Sequence, residues 1–247
     1  MTTESPTPVT AGNLYPKSDV DQKASIWLVV AAYNEEKVIA SVIEDALNYV
    51  TNIVVVDDKS LDNTGSVAWC SGAHVLQHPI NLGQGAALQT GIDYALSQDA
   101  EVIVTYDADG QHQISDAIAL ATEVLRGEVD IICGSRFMGV HAKNIPTRRK
   151  LFLRFAALFT RVTTGVPVTD AHNGLRALSR HAASSIRITQ NRMAHASEII
   201  SSIKKEKLRF KEMPVEIIYS EYSLSKGQKL SNSINIILDL FMGRFHN

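Results

Sequence analysis

The chain has 247 residues, 45% of them hydrophobic and 20% charged, and a formal net charge of −2. That size suits one large α/β domain or two small ones with a sizeable core, and the near-neutral balance gives no electrostatic argument for a nucleic-acid partner. The sequence has no run of ~18 apolar residues, so no transmembrane helix is expected, and its N-terminus lacks the basic-then-apolar pattern of a secretory signal.

Residues 1–24 are rich in Thr, Pro, Ser, Gly and Asp without a period and read as a flexible extension. Ile26 to Ala32 is a continuous apolar run, a buried first strand. Tyr33-Asn34-Glu35-Glu36 follows, with Asn34 as a plausible N-cap for a helix carrying Val38, Ile39, Val42, Ile43, Ala46 and Leu47 at helical spacing. Ile53 to Val56 is a second strand, closed by Asp57-Asp58-Lys59-Ser60, and a helix opens at Asp62-Asn63-Thr64 and runs to about Cys70. Ala73 to Leu76 is a short third strand. Asn81-Leu82-Gly83-Gln84-Gly85 is a glycine-bearing loop before a helix from Ala86 to Leu96. Val102 to Thr105 leads to Tyr106-Asp107-Ala108-Asp109-Gly110-Gln111-His112. A helix from Ile114 to Leu125 and a strand from Asp130 to Gly134 complete a β-α-β-α alternation. Such alternation predicts an α/β fold with a mostly parallel sheet and helices on both faces.

The character then changes. From Ile131 to Thr169 there is no acidic residue, while Arg136, Lys143, Arg148, Arg149, Lys150, Arg154 and Arg161 all occur. Phe152, Phe155, Ala156 and Phe159 interleave with them at helical spacing. This is a basic amphipathic helix, suited either to a membrane surface or to an ordinary core contact with a basic solvent side. Pro167 to Arg176 reads as a polar loop, 179–188 and 195–204 as helices, and Met213 to Tyr219 as an edge strand with Pro214 near its start. A loop at Ser225-Lys226-Gly227 precedes a C-terminal amphipathic helix over 231–247. Cys70 and Cys133 lie in periodic apolar segments without metal-type spacing, which predicts reduced, buried thiols and a cytoplasmic setting. No repeat or linker divides the chain, so 25–230 is expected to be one domain, nucleotide-binding in its first half and acceptor-binding in its second.

Parallel strands deliver side chains to the carboxyl edge of their sheet, where open α/β folds bind ligands. Asn34/Glu35, Asp57/Asp58, Asp107/Asp109 and Gly134/Arg136 all fall at such strand ends. Asp107 and Asp109, one residue apart, supply hard oxygen donors suited to Mg²⁺ or Mn²⁺, an ion that usually holds substrate phosphates as well. Glu35 and Asp58 are placed to accept hydrogen bonds from a base or ribose, and Gly83 and Gly85 allow close backbone approach to a ligand or simply make a strand-to-helix turn. Taken alone, Asp-x-Asp-Gly is also an ordinary polar turn. Its company along one edge favours a site.

Ala32-Tyr33-Asn34-Glu35-Glu36, Val56-Asp57-Asp58-Lys59-Ser60, Asn81-Leu82-Gly83-Gln84-Gly85, Asp107-Ala108-Asp109-Gly110-Gln111-His112 and Gly134-Ser135-Arg136-Phe137 together resemble the family 2 glycosyltransferases of GT-A fold. Within them the chain is most similar to the dolichol- and polyprenyl-phosphate sugar transferases, over roughly residues 26–230. The resemblance implies an inverting, metal-dependent transfer from a nucleotide-diphosphate sugar to a lipid-linked acceptor, polyprenyl phosphate above all, on the cytoplasmic face of a membrane. Carried over by position, Ala32, Tyr33, Glu35, Asp58 and Gly85 would hold the nucleotide. Asp107, Asp109 and Gln111 would surround the metal and diphosphate. Arg136 and Arg148 or Arg149 would meet an acceptor phosphate, and Asp170, Arg176 and Lys226 would complete the acceptor side.

The acceptor decides whether a base is needed. A phosphate monoester has a second pKa near ~6 and is already a competent nucleophile at neutral pH. It needs arginines that fit its fork geometry. A saccharide hydroxyl would need a general base, for which Asp170 is the first candidate and His172 the next. The chain has His172-Asn173-Gly174-Leu175-Arg176 where relatives often have Ser-Gly-Phe-Arg, and it lacks an arginine often found before the Ser-Lys pair. A transferase acting on a saccharide hydroxyl in polysaccharide or lipopolysaccharide synthesis therefore stays open, as does a non-catalytic nucleotide-sugar binder. A nucleotidyltransferase is disfavoured by the acidic, glycine-free loop after the first strand. A dinucleotide-dependent oxidoreductase is disfavoured by Leu88 standing where a third fingerprint glycine would be.

Overall fold

The computed structural model describes residues 25–138, 147–191 and 194–218. Strands β1 (Ile26–Ala32), β2 (Asn52–Asp57), β3 (His74–Gln77), β4 (Val102–Asp107), β5 (Ile131–Ser135), β6 (Arg176–Ser179) and β7 (Phe210–Pro214) form one sheet in the order β3-β2-β1-β4-β6-β5-β7. The pairings between these strands are parallel except those of β6, which runs antiparallel to both β4 and β5. Helices are α1 (Ile39–Leu47), α2 (Thr64–Cys70), α3 (Gln84–Ser97), α4 (Ile114–Leu125), α5 (Thr147–Thr164), α6 (Arg180–Ser185) and α7 (His195–Lys205).

The apolar runs of β1, β2 and β4 are buried on both faces, as strands sandwiched between helices must be. Alternation along β1 sorts the two cores. Ile26, Leu28 and Val30 pack with Ile39 and Ile43 of α1 and Leu120 and Ala121 of α4. Trp27 and Val29 pack with Leu88 and Ile92 of α3 and Ile199, Ile200 and Ile203 of α7. The strict period of two makes one strand serve both layers.

Several expectations need correction. Asn34 is no N-cap: its backbone is left-handed (φ 56°), and α1 starts only at Ile39, with no acid in its first turn. Short polar side chains tolerate that conformation, and the side-chain oxygen of Asn34 instead accepts from Leu61 N–H at 2.7 Å. Arg176 does not end a loop but opens β6, and the helix expected over 179–188 is shorter, Arg180–Ser185. A four-residue strand between two longer ones leaves too few alternations to read. β7 lies at the sheet edge as expected but earlier, so Pro214 closes it. At that place its missing N–H costs no ladder bond. Cys133 is buried, but Cys70 is exposed at the last turn of α2. The expected extension over 1–24, the loop with Lys226 and the helix over 231–247 lie outside the described residues.

Candidate active site

The carboxyl ends of β1, β2 and β4 and the start of α3 are tied into one hydrogen-bonded chain. The loop after β1 is fastened to the loop after β2. Asn34 N–H donates to Ser60 Oγ (2.9 Å) and Glu35 N–H to Thr64 Oγ1 (2.7 Å). Asp58 lies deeper. Its Oδ1 accepts from Leu82 N–H (2.8 Å) and from His78 Nδ1 (2.7 Å), and its Oδ2 accepts from Gly83 N–H (2.7 Å). With its proton on Nδ1, His78 leaves Nε2 to accept from Thr90 Oγ1 at 3.0 Å. The glycine loop is thus seated on a buried carboxylate. Its next side chain, Gln84, reaches across to donate to Asp107 Oδ1 at 3.1 Å.

Asp107 is also held from the other side, by His112 Nε2 on Oδ2 at 3.1 Å. The His112 carbonyl accepts from Tyr106 OH, which fixes the turn that returns His112 to the strand end. Asp109 Oδ1 accepts from Gln111 N–H at 3.1 Å. The two carboxylates differ electrically. Burial works to raise Asp107, but the hydrogen bond and charge of His112, with Arg176 and His195 nearby, outweigh it and hold the group below the usual carboxylate range. At Asp109 burial first, then the charge of Asp107, outweigh the Gln111 hydrogen bond and the charge of His112 and push the group up to about 6. Two carboxylates that crowd each other in this way suit a divalent cation, which would relieve the repulsion. Among the described residues no group of three or more His, Cys, Asp or Glu forms a metal cage. A pair of carboxylates without a cage fits an ion of the Mg²⁺ type, completed by water and substrate phosphates.

The segment from Gln111 is clamped by the last described stretch of the chain. His112 bridges antiparallel to Ile217, and Ile218 N–H donates to the Gln111 carbonyl at 2.8 Å. Glu216 N–H adds a bond to Asp116 Oδ2 at 2.8 Å.

Beside this lies a cluster built on ionic pairing. Arg136, just past β5, donates Nε to Asp170 Oδ2 at 2.6 Å and its backbone N–H to the same oxygen at 3.2 Å. Asp170 is 2% exposed. Glu212 accepts from Thr169 and Asp170 N–H, fixing the loop that carries Asp170. Gly174 touches the Asp107 corner, because a Cβ there would collide with the Asp107 carboxylate. Around it, both ring nitrogens of His172, Asn173 Nδ2 and Arg176 Nε and Nη1 have no hydrogen-bond partner among the described residues. Burial, chiefly, pulls His172 down to about 4, so it is neutral at physiological pH.

The structure therefore gathers Asp107, Asp109 and Gln111 at one corner, with Arg136 and Asp170 as a pair beside them. It gives other expected residues different work. Asp58 is buried and holds the glycine loop, and Ala32 uses its carbonyl on Asp58 N–H (2.9 Å). Gly85 makes room for the protein, since a Cβ there would collide with the Gln190 carbonyl and crowd His195. Arg176 is 1% exposed and lies in β6 between β4 and β5, beneath the site rather than at its surface. Its guanidinium donates Nη2 to the Ala171 carbonyl at 3.3 Å. Tyr33 is exposed and Glu35 half-buried at the edge. Arg148 and Arg149 fall in α5, their side chains outside the described part. Sequence reasoning gave no role to Gln84, His78, His112 or His195. Gln84 and His112 stand inside quoted motifs, whereas His195 arrives from the start of a distant helix and has no local signal.

Comparison with known proteins identifies the family. Residues 27–187 match the family model described as glycosyl transferase family 2. An uncharacterised protein of Methanocaldococcus jannaschii is 38% identical over 89% of this chain and 92% of its own length. The UDP-N-acetylglucosamine–dolichyl-phosphate N-acetylglucosaminyltransferase of Methanococcus voltae is 32% identical over 88% of this chain and 95% of its own. Among solved structures, glucosyl-3-phosphoglycerate synthase of Mycobacterium tuberculosis aligns with a TM-score of 0.69 at 20% identity, over 92% of this chain and 85% of that one. A further structure of the same enzyme, with a TM-score of 0.68 and 20% identity over 91% and 80% of the two chains, is in complex with Mn²⁺, UDP and phosphoglyceric acid. At that identity the likeness establishes the GT-A fold, while the family match runs from β1 to α6. The chain is a glycosyltransferase and belongs to glycosyl transferase family 2.

Proposed function

We propose that the protein transfers a sugar, with inversion, from a nucleotide-diphosphate donor to a lipid-linked phosphate of the polyprenyl class. The observation that carries the acceptor reading is the pairing of Asp170 with Arg136 at 2.6 Å. A hydroxyl acceptor needs a base in hydrogen-bond reach of its proton. Asp170, the best candidate from sequence, is buried and bound to a guanidinium, and His172 is too weak a base with its pKa near 4. A phosphate monoester is ionised without help, and Asp170 then serves to hold Arg136 in place.

On the donor side, Tyr33 and Glu35 would receive the nucleotide at the edge of the loop stapled by Ser60 and Thr64. Asp107 and Asp109, with Gln111, would hold Mg²⁺ or Mn²⁺ and the diphosphate. When bound, such a cation offsets the negative charge that develops on the departing nucleoside diphosphate. Gln84 and His112 fix the Asp107 carboxylate beforehand, so little reorganisation is left for the transfer step. The relatives support the reading: several are named as dolichyl- or polyprenyl-phosphate sugar transferases.

The test is transfer by purified protein from UDP-, GDP- and dTDP-sugars with Mn²⁺ or Mg²⁺, offered polyprenyl phosphate or a saccharide-bearing acceptor. Transfer to the phosphate is expected. Transfer to the saccharide alone would overturn the acceptor assignment. In the same assay Asp109→Ala should lose at least ~10³-fold, the several kcal/mol that a catalytic cation supplies, and full activity in that variant would remove the metal assignment.

A further inference from the structure

Helix α5 has two apolar faces. Ala156, Ala157 and Thr160 are buried where the helix packs on α7. Phe155, Leu158 and Val162 are 58%, 57% and 75% exposed. At 3.6 residues per turn these three side chains fall within about 60° of one another and about 170° from the buried three. A helix that only had to dock on the protein would carry polar residues there. Clustered large apolar side chains at i, i+3 and i+7 instead mark a surface that something covers.

Charge says what covers it. Arg154 and Arg161 are exposed and flank the stripe along one side. The whole stretch from Ile131 to Thr169 has seven Lys and Arg and no acid. Two copies of this face brought together would meet cation against cation, with no carboxylate on α5 to compensate. An anionic surface answers both features. The helix is also seated next to the site, because the Arg154 guanidinium carbon lies 5.9 Å from the ring centroid of Phe137, the neighbour of Arg136. Among the described residues no helix is long and apolar enough to cross a membrane, so contact would be made by a face and not by a span.

We propose that this face of α5 lies in the surface of an anionic bilayer. Phe155, Leu158 and Val162 enter the acyl boundary, and Arg154 and Arg161 stay at headgroup level. The proposal builds on the lipid-acceptor reading, but its test needs no sugar transfer. Full-length protein is sedimented with phosphatidylcholine vesicles, with and without phosphatidylglycerol. The wild type should bind the anionic vesicles in preference, increasingly so at low salt. The triple variant F155S/L158S/V162S should bind about 10²-fold more weakly, the effect of about 1 kcal/mol for each partly inserted side chain. R154Q/R161Q should lose about tenfold and most of the preference for anionic lipid. The triple variant should melt within a few degrees of the wild type, which shows that it is folded. Equal vesicle binding by wild type and triple variant would overturn the proposal. So would a variant that shifts a dimer to monomer in sedimentation without changing vesicle binding, since a second copy would then be the occupant. If α5-dependent vesicle binding is found but polyprenyl phosphate is not an acceptor, the docking face stands and the acceptor reading falls.

Discussion

The two halves of the site hold their carboxylates by different means. In the proposed donor half Asp58 is held by two backbone amides and a histidine, and Asp107 by Gln84 and His112. In the proposed acceptor half Asp170 is held by a guanidinium in a nearly dry setting, and polar atoms of His172, Asn173 and Arg176 are left without hydrogen-bond partners among the described residues. Short backbone-fixed bonds make a surface that is finished before a ligand arrives. A buried ion pair beside unsatisfied donors is stable only as a unit, so the acceptor half depends far more on each partner being present.

That contrast is broken most severely at Asp170. Asp170→Ala removes the carboxylate bonded to a buried guanidinium and should lower stability by about 3–5 kcal/mol. Asp58→Asn, which keeps its shape among mainly neutral partners, should cost about 1–2 kcal/mol. Urea unfolding of the two variants measures both, and equal losses would mean that the halves are not built differently.

A smaller effect is expected at His172. Its folded pKa of about 4 lies below the unfolded value of 6.5, so between these values the unfolded chain binds more protons and stability falls as pH falls. The loss from neutral pH to below 4 should approach about 3 kcal/mol. His172→Asn should flatten that slope in thermal melts taken across the same window, whereas an unchanged slope would place the acid sensitivity elsewhere.

The smallest, and the sharpest for the donor half, is Gln84→Ala. It removes a hydrogen bond to Asp107 without touching a ligand directly. Such outer partners typically change metal affinity by about 10–100-fold. Mn²⁺ titration followed by electron paramagnetic resonance should show that weakening in the absence of any acceptor, and an unaltered affinity would make the Gln84 bond incidental.

The donor half was readable in the sequence because its signals are local. Each strand is an unbroken apolar run, and each polar strand end follows it within a few residues, so period and position alone bring Asp58 and Asp107 to one edge. What those residues bond to was not readable. Asp58 and Asp107 look alike at their strand ends, yet one is enclosed by a loop 24 residues further on and the other stays part of the open corner. The acceptor half resisted for a related reason. β6 is four residues long and antiparallel, inserted between β4 and β5. Arg176 looked like a surface arginine in a polar loop, whereas the strand carries it into the core. His195 reaches the site only through the fold of α7 against Gly85, a contact with no counterpart in the nearby sequence.

The bridge between His112 and Ile217 bears on how this protein can be shortened. By strand count the catalytic unit would end at Pro214, where β7 closes. The turn that bears Asp109 nevertheless takes a backbone partner from Ile218, and the start of α4 takes one from Glu216. A chain cut at Pro214 would keep every described strand of the sheet and still unfasten the rim of the Asp107 and Asp109 corner. The smallest transferable cassette therefore ends beyond Ile218, and fusion or immobilisation tags belong downstream of it.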